Sequence, residues 1–219
     1  MVTPADVPRG TTASATAPHT RLWALQLSRA VIFALAAVYI TFSADHSAHL
    51  GLVVFGVTAV VAGIVVGSLA FPLIADGPTR RLVVAQSAIT LAAGVVALLL
   101  RDSGLGSLLL TVAIWAGITG LLELYTGYRL GRRAPLSKDF LIVGAFTALL
   151  AVVFVLLPPD FVQTGGGEQG APATLTSSVM AVGVFGAYAA IVAVYLAIAG
   201  LSLKWQRTDA ATDVQEESA

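Results

Sequence analysis

Apolar side chains run through this chain in long blocks, without the strict alternation of strands. Six blocks reach the roughly 20 residues that a membrane-spanning helix needs. They are Leu22–Phe42, Leu50–Ile74, Leu82–Leu100, Leu105–Tyr128, Phe140–Leu157 and Leu175–Leu203. Pro72, Pro158 and Pro159 fall at block ends, where helices stop. Strands are not expected, because the blocks are too long and lack the pattern of a transmembrane barrel. The last block is longer than a span requires, so its ends should project or tilt. Outer connections are short except "PPDFVQTGGGEQGAPAT", whose Gly and Pro content predicts a flexible loop. The expected organisation is an all-α membrane protein with a six-helix domain over residues 21–205. Residues 1–20 should form a disordered tail without the order of a signal peptide, and the acidic residues 206–219 a second disordered tail.

Composition agrees with that pattern. The chain is 57% hydrophobic and 11% charged, where soluble domains carry about 25% charged residues. Water-facing surface needs charge and lipid-facing surface forbids it. A net charge of zero gives no pull toward nucleic acid, and zero cysteines remove disulfides, thiol nucleophiles and thiolate metal sites.

Basic residues set the orientation. With six spans, one side holds Arg9, Arg21, Arg80, Arg81, Arg129, Arg132, Arg133, Lys138, Lys204 and Arg207. The other side holds Arg101, and Arg29 lies within the first span. Lys and Arg concentrate in cytoplasmic loops, so both termini are expected in the cytoplasm. Trp23, Tyr125, Tyr128 and Trp205 lie near the same ends and suit interfacial anchoring.

The spans divide into three hairpins that look like copies of one unit. First helices align at Arg29-Ala30, Ser87-Ala88 and Gly144-Ala145, at intervals of 58 and 57 positions. Second helices align at "GVTAVVAG", "GITGLLEL" and "GAYAAIVA", from Gly56, Gly117 and Gly186. Each hairpin starts and ends on one side, so the copies are parallel repeats about an axis along the membrane normal. Small residues stripe the second helices: Gly56, Ala59, Gly63 and Gly67; Gly117, Gly120 and Gly127; Gly186, Ala190, Ala193 and Ala197. Small faces let backbones approach closely, which is what associates helices in lipid.

Glu123 is a carboxylate inside an apolar block, on the face of Gly120 and Gly127. A buried carboxylate protonates or finds a partner. Arg29 lies six residues past Trp23 on an ascending helix, and Glu123 six before Arg129 on a descending one. At 1.5 Å per residue both sit about 9 Å inside the boundary. Gln26, Gln86 and Ser87 fall at a similar depth. The expectation is a buried polar layer with Arg29 and Glu123 as its charged pair. Two readings stand open: a pair that fixes helix register, or a proton-handling site. A third possibility is that Arg29 snorkels alone to the headgroups.

In the loop "SADHSAHLG", Asp45, His46 and His49 are candidates for binding a metal ion or sensing pH, against the plainer reading of a solvated loop. Phosphate-loop, HExxH and GxSxG patterns are absent, "TGGGEQG" lies in an outer loop, and no cofactor or enzyme activity is expected. The expected partners are the lipid bilayer and, within it, further copies of the chain or other membrane proteins.

The run "AIWAGITGLLELYTGYRLGRR", followed by "FLIVGAFTALLAVVFVLLPPD", resembles the HdeD-like acid-resistance membrane proteins of bacteria. The resemblance is best over Gln86 to Asp160. It implies a six-helix protein of the bacterial inner membrane, linked in some members to acid stress, and supplies no molecular activity. The Glu occurs in one repeat of three, with Ala62 and Val192 at the equivalent positions. That places in question any proton relay repeated around the bundle. A non-enzymatic role in stress or envelope homeostasis and a small proton- or ion-coupled transporter are the two functions carried forward.

Overall fold

The structure, a computed structural model, describes residues 22–131, 134, 136–166 and 172–217, with side chains described at 22–131, 134, 136–163 and 175–205. Among the described residues six helices form the fold: α1 (Leu22–Phe42), α2 (Ala48–Leu73), α3 (Gly77–Leu99), α4 (Leu105–Leu130), α5 (Ser137–Leu156) and α6 (Ser177–Glu217). All six are long and apolar enough to cross a membrane, α6 over Ser177–Trp205. The surface is inverted relative to a soluble protein. Leu35, Leu121, Val155 and Ile198 point outward, whereas Arg29, Glu123, Thr119 and Thr147 are buried. Lipid rewards that arrangement, because outward polar groups would be left without partners.

Polar caps move several helix starts. Ser47 accepts from the Leu50 amide at the head of α2, and Asp76 accepts from the Thr79 amide at the head of α3, with Pro78 in its first turn. α3 therefore begins at Gly77, five residues before its apolar block, because a cap satisfies amides that hydropathy does not register. Pro72 is accommodated in the last turn of α2.

Two expectations need correction. The segment between α5 and α6 contains an antiparallel hairpin, β1 (Val162–Gly166) with β2 (Pro172–Thr176). Five-residue strands are too short to register beside blocks of twenty. Ser177 ties the hairpin to the bundle, donating to the Pro158 carbonyl at 2.7 Å and accepting from the Phe161 amide at 3.0 Å. At the other end α6 continues to Glu217, through residues expected to be disordered. Ala210, Ala211, Gln215 and Glu216 are good helix formers, and extending an existing helix needs no new nucleus. The N-terminal tail, residues 1–20, lies outside the described residues.

The tightest packing runs between the hairpins of the repeat. α2 packs on α3, α4 on α5, and α6 back on α1. Glycines make these seams. A Cβ on Gly94 would lie 2.7 Å from the Val60 nitrogen, and one on Gly120 would lie 2.6 Å from the Ala148 nitrogen. Gly56, Gly63, Gly127 and Gly186 are equally close to α3, α5 or α1. Gly67 and Gly117 face their neighbours more loosely, with nearest approaches of 3.3 and 3.8 Å. The glycines of each stripe thus pack on the first helix of the next repeat, and α6 closes the ring on α1. Lys204 lies over the Trp23 ring at that closure, 5.5 Å from its centroid.

Candidate functional site

Within pairs, backbones touch; between pairs, polar side chains do. Glu123 of α4 is 1% exposed, and its Oε1 accepts from Arg29 Nη2 of α1 and from Gln86 Nε2 of α3, the latter at 2.9 Å. One residue from each tight helix pair thus meets at one carboxylate. The Trp115 indole donates to Thr90 Oγ1 at 3.1 Å, joining α4 to α3. Thr147 and Tyr188 share a hydrogen bond of 2.8 Å, joining α5 to α6. Buried polar groups must be satisfied where no water competes, so each contact fixes the rotation of its helices.

These groups surround a cavity of about 40 Å³ on the bundle axis, lined by residues from all six helices, among them Arg29, Ala62, Gln86, Glu123, Thr147 and Tyr188. A cavity needs roughly 10–15 Å³ to hold a water, so this one suits a few waters. Of the positions equated by the repeat, Arg29 and Ser87 from first helices and Ala62 and Glu123 from second helices line it, and Gly144 and Val192 are buried as well. Charge sits at two of the six, so the site is asymmetric within a symmetric frame. Farther out along the axis, Phe55 packs edge-on against Trp115 and Phe185. Beyond that, Gly51 lies against Leu108 and Val182, so the outer half is a packed apolar core.

The expected polar layer is drawn together in part. Arg29, Glu123 and Gln86 meet. Ser87 lines the cavity but donates to the Val83 carbonyl of its own helix at 2.8 Å. Gln26 serves a separate cluster: it donates to Asp139 Oδ2 at 2.6 Å, and the Tyr195 hydroxyl donates to Oδ1 at 3.0 Å. Asp139 adjoins Lys138 in a polar connection, so nothing in the sequence marks it as an interhelical acceptor. Tyr188 and Thr147 were equally hidden, since their meeting depends on helix rotations that depth alone leaves free.

Asp45, His46 and His49 do not converge. Asp45 accepts from the Ser47 amide at 2.8 Å and hydroxyl at 2.9 Å, which orders the turn before α2. Those bonds, the backbone one first, hold its carboxyl below the usual value. His49 Nδ1 turns away to Asp102 Oδ1 at 3.0 Å, across to the α3–α4 connection. Asp102 is likewise held low, chiefly by Arg101 and then by His49. Among the described residues no three His, Asp or Glu side chains gather as a metal site.

The chain is an integral membrane protein by the length and character of its helices. No protein-family model matches it, and no curated protein or solved structure matches it either.

Proposed function

We propose that this chain is a non-enzymatic protein of the bacterial inner membrane that serves stress or envelope homeostasis, in the manner the HdeD-like resemblance implies. In this reading the Arg29–Glu123–Gln86 junction is structural: it fixes the register in which three helix pairs close into a bundle. The observation that carries it is that the Glu123 carboxylate is occupied by two partners in a water-sized cavity, with a packed apolar core on its outer side. Buried pairs are best attested as devices of register, and both termini are placed in the cytoplasm on the strength of the basic residues.

A second reading is a proton- or ion-coupled transporter. It draws on the same cavity, because a carboxylate beside room for water on the axis of six helices is where an ion path would start. Proton flux in proteoliposomes under a pH gradient separates the two, alongside acid-shock survival of cells with and without the gene. The first reading expects flux no greater than in protein-free vesicles and lowered survival without the gene. Flux that Glu123→Gln abolishes would overturn it.

A further inference from the structure

Where α3 begins and α4 ends, the bundle edge carries Arg80, Arg81 and Arg129. The register of the seam brings them level. Trp115 meets Thr90, and Glu123 meets Gln86, so the first turns of α3 lie beside the last turn of α4. Arg81 and Arg129 are exposed and Arg80 half-buried. Among the described residues none of the three forms an ion pair. The carboxylate beside them, Asp76, is engaged as the cap of α3, accepting from the Thr79 amide at 2.9 Å. Hydrogen bonds from Thr79 and, after them, the charge of Arg129 hold that carboxyl below its usual value, so it stays ionised. Three cations against one anion leave the edge positive.

Below the cations the surface changes character. Tyr125 and Tyr128 are 55% and 82% exposed on the same end of α4, and Ile118 and Leu121 continue that face into the apolar layer. A cationic rim, a tyrosine belt and an apolar wall in that order match a phospholipid from phosphate to acyl chain. Guanidinium groups bind phosphate oxygens in a planar fork, and basic pockets between spanning helices bind anionic head groups.

We propose that the α3–α4 edge binds an anionic phospholipid of its own leaflet, with Arg80, Arg81 and Arg129 holding the headgroup phosphate. A zwitterionic lipid brings its own cation into the rim and gains less. The contact would brace a seam between two helix pairs that is otherwise joined by side-chain hydrogen bonds.

The test uses the full chain in detergent, with lipid retention read by native mass spectrometry. Phosphatidylglycerol should be retained in preference to phosphatidylcholine. Each Arg→Gln substitution at 80, 81 or 129 should weaken phosphatidylglycerol about fivefold, the worth of one basic residue near an anionic surface. Arg101→Gln, beyond the opposite ends of these helices, should leave it unchanged. Equal retention of the two lipids by the wild type, or single variants that hold phosphatidylglycerol as the wild type does, would overturn the proposal. Displacement of the lipid by millimolar inorganic phosphate would also overturn it, assigning the site to free phosphate. The wild-type comparison stands even if a variant fails to fold.

Discussion

Leucine in place of Glu123 would leave the Arg29 guanidinium in the bundle without its counter-charge. Arg29 lies seven residues beyond the start of α1, and Glu123 lies seven before the end of α4. At 1.5 Å per residue both are about 10 Å deep, a third of the way into a hydrocarbon layer of about 30 Å. Removing one member of a buried pair costs about 3–5 kcal/mol. A single interhelical hydrogen bond in a membrane averages about 0.6 kcal/mol. Loss of the ion pair therefore dominates, and Gln86→Leu should be the mild change. Arg29 is 9% exposed, so its long stem gives it some escape toward the headgroups. The lower end, about 3 kcal/mol, is expected for Glu123→Leu. Arg29→Leu combined with Glu123→Leu should recover most of the loss, because no charge is left unpaired and only the neutral Gln86 amide loses its acceptor. Reversible unfolding in mixed micelles, followed by circular dichroism, measures wild type, the three single variants and the double variant. The reasoning fails if Glu123→Leu falls within about 1 kcal/mol of wild type, or if the double variant costs the sum of the two singles.

The glycine seams make a second set of expectations. Gly120→Ala drives a methyl against the Ala148 and Gly144 backbones and should cost about 1–3 kcal/mol. Gly106→Ala meets nothing within 4 Å and should be neutral or mildly stabilising; equal melting temperatures for the two variants would contradict the packing. Asp45, which orders the turn before α2, and Asp76, which caps α3, predict an acid effect. Asp45 and Asp76 have folded values below 3.8, so their contribution is present above that pH and fades as pH falls through the lowered folded value. The Ser47 and Thr79 amide shifts in NMR should report midpoints below 3.8; midpoints at or above it would remove the Asp45 turn and the Asp76 cap. Zinc should leave the melting temperature of the wild type and of a His46→Ala, His49→Ala variant alike, and a zinc shift lost in the variant would restore the metal reading.

Sequence legibility followed the physics of each feature. The six spans were legible because lipid demands a long apolar block regardless of tertiary contacts. Their starts were less so: Asp76 and Ser47 act through single hydrogen bonds. The Arg29–Glu123 meeting was legible from depth, since counting residues from each helix end needs no knowledge of rotation. Gln26 and Ser87 share that depth yet point elsewhere, and rotation is set by packing that Gly120, Gly144 and Gly94 control only once the helices are assembled. The repeat was visible as equivalent positions, but the closure of α6 on α1 depends on Gly186 meeting Ile40 and Gly200 meeting Leu27, pairs from opposite ends of the chain that share no motif. The β1–β2 hairpin was obscured by the same Gly and Pro residues that mark a loop.

Six crossings are what bury Glu123 against Arg29, and the absence of cysteine from the sequence makes them directly measurable. Single cysteines at Asp45, Asp102 and Asp160, and at Ala75 and Ala134, can be challenged with a membrane-impermeant maleimide in intact and in opened cells. The account predicts that the first three label from outside and the last two label after opening. Labelling of Asp102 and Ala134 from the same side would break the α4 crossing, and with it the burial of Glu123 against Arg29.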